Sequence, residues 1–514
     1  MLHSRAPIVI AAASTAFGIA AAIYYARAGL TLAHYDARAH LVVARRVLDS
    51  LTPGWQQVGA VWLPLPHLLN LLPVQIDALY QSGASGVAIS IVSMGIAVWA
   101  IAALIQRTTG DWIGGAIAAA LLMLNPDVLY LQSTPMSEPL LFGATFLSIA
   151  LVARWIDRAS NPHSPIGNHQ SRIPDPEPRI PDPERRIPTT KAAGWALVAA
   201  ALTRYEAWPI IAATIVLAFA ALLRRGWRAA DAARAVRGLA LWPLWTIAAF
   251  LVNSKVSVGA WFVSEGFFVP ENKALGHPWL AWTEVWRGLV SLTGGVLPWI
   301  AVAAAGLIVF AWVRGRARAG ILIVLALAAA ASLPWYAYYK GHPLRLRYDV
   351  PLVAAAAAIV GAGVGLLPGR ARAAGAVLVV AIAATAAKPF DRSAPVVTES
   401  QRDAQNAAGR VAVTNYLRSH WDSQPIMMSM GSLGHYMQDL SRAGLSIHDF
   451  IHEGNGEIWK YALGHPQPFA AWILVEEKAE GGDALYWQGK LDPRFLAGYE
   501  RVAEGGNVSL YHRK

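Results

Sequence analysis

The chain has 514 residues, 55% of them hydrophobic and only 15% charged, and 43 Lys and Arg against 32 Asp and Glu give a net charge of +11. A soluble domain carries about 25% charge, and the apolar residues here gather in runs of roughly 20, the length that crosses a hydrocarbon core, so the composition excludes a soluble globular protein and specifies a multi-pass membrane protein. The absence of cysteine removes disulfides, thiolate metal sites and cysteine nucleophiles, and no basic, aromatic-interleaved module supports nucleic-acid binding.

In chain order, Arg5 precedes an apolar run over Ile8–Tyr25 that is longer than a signal-peptide core, so it reads as an uncleaved first helix over 7–26. His34-Tyr35-Asp36-Ala37-Arg38-Ala39-His40 follows directly, which puts an ionisable cluster at the membrane–water boundary. On a helix that starts at Tyr35, Asp36 and His40 share a face; Asp36 there caps the helix, does chemistry, or both. Residues 34–80 are too polar and proline-rich for a span, with Pro53, Pro64, Pro66 and Pro73 interrupting an apolar side of Trp55, Trp62 and several leucines. They read as amphipathic helices along the interface.

Ten further spans are predicted at 84–106, 112–130, 138–156, 191–203, 207–223, 239–257, 287–312, 319–338, 349–367 and 373–388, eleven in all, with 191–203 short enough for a half-span. With the N-terminus cytoplasmic, the cytoplasmic loops hold Arg224, Arg225, Arg228, Arg234, Arg237, Arg314, Arg316, Arg318, Arg370 and Arg372, as the positive-inside bias requires. Residues 27–83, 131–137, 204–206, 258–286, 339–348 and everything after 388 then lie outside. Residues 158–190 hold a tandem repeat, Arg-Ile-Pro-Asp-Pro-Glu from Arg172 and again from Arg179; proline at this density specifies an extended cytoplasmic linker or partner-docking segment.

Ionisable residues at span ends on one side are site candidates. Ser137-Glu138-Pro139 opens the fourth span on the outer side, where a Glu beside a Pro is also ordinary first-turn chemistry. Arg204-Tyr205-Glu206 interrupts apolar sequence on that side; two residues apart on a helix do not share a face, so Arg204 and Glu206 are expected to meet other partners, Glu138 being a natural one for Arg204. Lys340, His342, Arg345 and Arg347, followed by Tyr348-Asp349, form a basic cluster on the outside, against the topology bias. It suits a phosphate at headgroup depth, or contact with anionic lipid alone, and the 258–286 loop offers Lys273 and His277 in addition. No metal-ligand spacing stands out, although Asp36, Glu138 and a histidine would make an oxygen/nitrogen site if brought together. The tail from 391 changes character: a helix over 399–419, strands over 425–430, 470–476 and 507–512, and a Gly431-Ser432-Leu433-Gly434 turn that is no phosphate loop by itself.

These motifs in this order resemble the GT-C superfamily of membrane glycosyltransferases, near the protein O-mannosyltransferase and aminoarabinose–lipid A transferase branch. The resemblance lies in Tyr35-Asp36, Trp62-Leu63-Pro64-Leu65 leading to His67, Ser137-Glu138-Pro139, Arg204-Tyr205-Glu206-Ala207-Trp208 and Arg347-Tyr348-Asp349-Val350-Pro351-Leu352, and covers about 1–390 in architecture. It implies an all-α polytopic membrane domain over 1–390 and residence in the plasma (inner) membrane, while the strands and helix of the tail read as a small α/β domain over 391–514, extracytoplasmic by the topology count. It further implies an inverting glycosyltransferase that moves a sugar from a polyprenyl-phosphate donor to an acceptor hydroxyl on the outer side, on a protein, a lipid or a polysaccharide, with no cofactor and no soluble nucleotide. Asp36 matches the family's outer-loop catalytic base. Ala37 stands where a second acid is common, which leaves a single-base mechanism. Arg345, Arg347, Lys340 and His342 then stabilise the departing phosphate. Tyr35, Arg38, His40, Glu138, Arg204, Glu206 and Tyr348 shape the pocket, with His40 orienting Asp36, and Gly434-His435-Tyr436 and Asp449 of the tail close over it. The rival readings are a transporter or flippase of lipid-linked sugars, which calls for inverted repeats with broken helices, and a glycan ligase with a larger cavity.

Overall fold

The computed structural model describes residues 5–159, 189–263, 271–386, 388–479 and 482–514, so the proline repeat expected as a linker lies outside the described residues. Among them, helices α1 (Ala6–Arg27), α2 (Tyr35–Arg45), α3 (Leu65–Asn70), α4 (Asp77–Ser82), α5 (Ala84–Thr109), α6 (Ile113–Leu124), α7 (Pro126–Leu131), α8 (Glu138–Arg158), α9 (Lys191–Ala201), α10 (Ala207–Arg224) and α11 (Ala229–Val258) lead into α12 (Pro278–Thr293), α13 (Leu297–Val313), α14 (Ser332–Tyr339), α15 (Val350–Leu366) and α16 (Gly369–Ala386). Eight described elements are long and apolar enough to cross a membrane, α6 and α9 are shorter apolar helices, and α12 and α13 form one pair bent by 107°. The element before α14 is wound in 3-10 form over Ala319–Ala331 and continues into it as one span. Residues 34–80 form short helices, as their broken apolar pattern requires, with Leu48, Trp55, Leu69, Leu72 and Ile76 exposed.

Two expected spans are broken. The 287–312 segment is not continuous, because Gly294, at φ +79°, turns the chain between α12 and α13 and Pro298 lies in the first turn of α13. The 112–130 segment stops at Leu124, since Pro126 forces Asn125 into extended geometry (φ −75°, ψ 120°). The Asn125 side chain then accepts the N–H groups of Asp127 and Val128 at 3.1 and 3.0 Å and restarts the chain as α7.

Helix α15 is central. It is almost wholly buried along its length, and its Ala-Ala-Ala-Ala-Ala and Gly-rich sequence lets neighbouring helices approach closely. At the crossing of α6 and α15, a side chain on Gly114 would begin 2.3 Å from the Gly361 carbonyl, and one on Gly361 would begin 2.5 Å from that of Gly114.

The tail opens with α17 (Pro395–Ser400) and α18 (Ala404–His420), which split the helix expected over 399–419. Ala394, Val396 and Val397 pack with the core of the helical domain, past the boundary expected at 391, and the Val396 N–H donates to Asp127 Oδ1 at 2.8 Å. Beyond them is a five-stranded sheet of order β2-β1-β3-β5-β4, with β1 (Ile426–Met428) parallel to both β2 (Phe450–Ile451) and β3 (Trp472–Glu476), and β5 (Val508–Arg513) antiparallel to β3 and β4 (Tyr499–Gly505). The two strands not anticipated are a two-residue β2 and a largely exposed β4, neither of which carries an apolar run. One face of the sheet, with Trp472 and Leu474, shares a single core with Leu41, Val42 and Ala44 of α2 and with Val74 and Tyr80, while Ile473 and Val475 on the other face meet Trp459, Leu485 and Phe495. The tail is therefore built onto the short helices rather than tethered above them.

Gly361→Val is expected to lower the unfolding temperature in detergent, with a cost of about 1–3 kcal/mol for overpacking, whereas a valine at Gly306, which has nothing within 4 Å of its Cβ position, leaves it near wild type.

Candidate active site

Helix α2 opens at Tyr35 with His34 as its cap. His34 is extended (φ −71°, ψ 128°), and its Nδ1 accepts the Asp36 N–H at 3.1 Å. This relieves Asp36 of the capping role its position suggested and leaves its carboxylate to pair with Arg347. From there ion pairs run on: Arg347 lies 3.8 Å from Glu138 Oε1, Glu138 is 3.0 Å from Arg204, and Arg204 is 2.7 Å from Glu206. Three carboxylates thus share two guanidiniums. Asp36, Arg347, Glu138 and Glu206 are 6%, 4%, 0% and 2% exposed, and buried charges persist only when paired in this way.

A neutral chain runs alongside. Arg204 Nη1 donates to Ser137 Oγ at 2.9 Å, Ser137 Oγ lies 3.4 Å from His40 Nε2, and His40 Nδ1 lies 3.1 Å from His67 Nε2. A guanidinium only donates, so Ser137 Oγ accepts from Arg204, and the direction of the two contacts beyond it is set by the tautomers of His40 and His67. Trp62 lies against the His40 ring, centroid to centroid 4.2 Å.

The electrostatics follow from burial. At Asp36 burial opposes ionisation, but the charge of Arg347 outweighs it and holds the carboxyl below its usual range. Burial and nearby arginines bring both His34 and His40 down to about 3, so both are neutral at pH 7. Burial alone would weaken the Arg204 cation; Glu138 and Glu206 hold it firmly charged.

The expected residues divide. Asp36, Glu138, Arg204, Glu206 and Arg347 meet, with Arg345 buried beside them and the Tyr348 ring 5.0 Å from the Arg347 guanidinium. Arg204 and Glu206 pair with each other, contrary to the helix-face expectation, because residues 202–206 form turns rather than a helix. His40 does not orient Asp36: its two nitrogens serve Ser137 and His67. Arg38 sits on the opposite side of α2 from Asp36 and pins the tail instead, through Asp439 at 2.9 Å. The basic cluster splits as well. Lys340 is exposed over the rings of Tyr336 and Tyr339, and half-buried His342 bonds the Pro343 carbonyl at 2.9 Å with its ring 5.4 Å from Tyr348. Lys273 and His277 are exposed.

From the tail, the 3-10 turn Gly434–Tyr436 packs against α2, with the His435 ring 6.3 Å from that of Tyr35. Asp449 is instead spent on a capping box with Ser446. The acid the tail does bring is Glu399, buried in α17; burial pushes its carboxyl up while Arg347, Arg345 and Arg402 oppose that. Nothing local in the sequence marks Glu399, whose partners lie some fifty residues upstream. His34 and His67 stand in the quoted motifs without an assigned role for a related reason: each acts through a contact that spacing does not reveal. Among the described residues no group of three or more His, Cys, Asp or Glu side chains is placed to hold a metal ion; Asp36 and Glu138 face arginines.

Solved structures share this architecture. ArnT from Cupriavidus metallidurans, bound to undecaprenyl phosphate, superposes with a TM-score of 0.52 over 96% of this chain and 97% of its own, at 13% identity. The apo form of the same protein gives 0.50 over 96% of each chain, again at 13% identity. The fold is the GT-C fold of ArnT. No protein-family model matches the chain, and a search of curated proteins finds no match. At 13% identity the likeness to ArnT is one of fold, and it spans the helical domain and the tail together.

Arg204→Met is expected to destabilise the protein by about 3–5 kcal/mol, since it strands Glu138 and Glu206 uncompensated in a buried site; thermal unfolding in detergent measures it. Because the Asp36 carboxyl is depressed, its ion pair stabilises the fold above the ordinary carboxylate range and is lost as pH falls through the depressed value. The difference in unfolding temperature between wild type and Asp36→Asn is therefore expected to stay constant from pH 7 down to about 4 and to shrink only below that, with no step near pH 6.5 from His34 or His40.

Proposed function

We propose that this protein is an inverting glycosyltransferase that moves a sugar from a polyprenyl-phosphate donor to an acceptor hydroxyl at the outer face of the membrane. The observation that carries the reading is the buried Asp36–Arg347 pair, braced by Glu138, Arg204 and Glu206 at the end of the bundle that the tail covers. The ArnT structure bound to undecaprenyl phosphate supports the choice of donor class.

In this reading, Arg347 and Arg345 receive the donor phosphate. As Arg347 turns to the phosphate, Asp36 is released from its ion pair and becomes free to accept the acceptor's hydroxyl proton. The acceptor oxygen bonds to the anomeric carbon while the bond from that carbon to the phosphate oxygen breaks, and the guanidiniums stabilise the charge left on the lipid phosphate. One displacement inverts the anomeric configuration. Glu138 and Arg204 hold Arg347 in register, and Lys340 and His342 stand at the exposed approach for the lipid. The bent α12–α13 pair is the one feature favouring a carrier instead.

Transfer of labelled sugar in vesicles reconstituted with wild type decides between them: a labelled product means transfer, and labelled donor crossing the bilayer with no product means carriage. Asp36→Asn, isosteric and still folded by its Trp fluorescence, is expected to lose at least about 10²-fold in turnover. Near-normal turnover in that variant would remove Asp36 as the base.

A further inference from the structure

A second polar centre lies where the end of α2 meets the tail. Arg46 follows α2 directly, roughly 15 Å along the helix axis from Asp36 at 1.5 Å per residue. Its Nε donates to the Gln57 carbonyl at 2.6 Å. Among the described residues its two Nη groups have no partner, and the residue is only partly buried. Gly59, at φ +70°, lies beside the group, its Cβ position 3.5 Å from Arg46 Nη2. The surrounding protein brings the guanidinium down to about 10, with Glu453 acting the other way, so it is charged at neutral pH. Glu453 itself is engaged elsewhere: it takes the N–H groups of Met430 and Gly431 at 2.9 and 3.3 Å and the Ser429 hydroxyl.

An independent observation comes from the tail. His452, fully buried, accepts the Gly454 N–H on Nδ1 at 3.1 Å. Burial and the charge of Arg46 bring it to about 3. It is therefore neutral with its proton on Nε2, and Nε2 is a buried donor with no partner. A buried donor left unmade costs about 1–3 kcal/mol. Gln57 donates through Nε2 to the Gly454 carbonyl at 2.8 Å, and its Oε1 is a buried acceptor without a partner among the described residues. A guanidinium with both Nη groups open, an imidazole donor and an amide carbonyl, each without a partner among the described residues, suit a ligand that carries both an oxyanion and hydroxyls. The position is also where such ligands sit in parallel sheets, beyond the carboxyl ends of β1 and β2.

We propose that Arg46 and His452, with Gln57, form a second binding site that takes an oxyanion, a phosphate or carboxylate, on the polyhydroxylated headgroup of the acceptor. The proposal rests on the transferase reading for the word acceptor; the site itself does not. It would hold the acceptor by its charge while a hydroxyl further along reaches Asp36.

The test is calorimetric binding to the full-length protein in phosphatidylcholine nanodiscs, with glucose 1-phosphate as probe and methyl glucoside as its neutral counterpart. Glucose 1-phosphate is expected to bind, more weakly as salt rises, and methyl glucoside not to. Arg46→Gln is expected to weaken binding about ten-fold or more, and Glu453→Gln, which removes the opposing carboxylate, to tighten it about two- to three-fold. That opposite movement is one a purely structural Arg46 would not produce, and it stands if Arg46→Gln fails to fold. Phosphatidic acid added to the nanodiscs separates the sources: competition with the probe means a lipid headgroup supplies the oxyanion, and no competition means a saccharide does. Equal affinity in wild type and both variants, or loss of binding in Arg347→Gln alone, overturns the proposal, the latter by moving the anion to the Asp36 cluster. Arg46-dependent binding in a protein without transfer activity would reject the transferase reading and keep the site.

Discussion

The arrangement turns on one buried constraint: three carboxylates and two guanidiniums, drawn from four separate stretches of chain, must pair with one another away from bulk water. Asp36, Arg347, Glu138, Arg204 and Glu206 satisfy it in a single connected line. None can be placed independently of the others, because moving one strands its neighbour as an unpaired buried charge. The ends of α2, α8, α10 and α15 are thereby held in fixed relation by electrostatic necessity.

That constraint also divides labour among the histidines. His34 caps α2 and frees the Asp36 carboxylate, while His40 and His67 fix the Ser137 hydroxyl against Arg204. All of this works with neutral imidazoles, which burial enforces. These histidines therefore orient charges rather than carry them.

The tail is part of the same construction. Its sheet shares a core with α2, its first helix brings Glu399 toward Arg345 and Arg347, and Glu453, just beyond β2, acts on the charge of Arg46. The Asp36 cluster and the proposed anion site at Arg46 thus lie at opposite ends of one eleven-residue helix.

Much of this was legible in the sequence. Apolar runs set by the thickness of a bilayer located the spans, proline density located the short helices, and the rarity of charge in such a chain made Asp36, Glu138, Arg204 and Arg347 conspicuous. The helix supposed to start at Tyr35 is α2, and the need of Arg204 for a counter-ion correctly pointed to Glu138. Where a local rule was applied to the wrong local structure it failed: Arg204 and Glu206 sit in turns, so helix-face logic did not govern them, and Gly294 and Pro126 each broke a span that hydropathy, which averages over many residues, read as whole. Which carboxylate pairs Arg347, why His34 rather than Asp36 caps α2, how Lys340 parts from Arg347, and that Glu399 and His452 come in from the tail were settled only by tertiary structure. Pairing between residues tens to hundreds of positions apart depends on how helices cross and where the sheet docks. Those depend in turn on close packing at places such as Gly114 against Gly361, which leave no periodic mark in the chain.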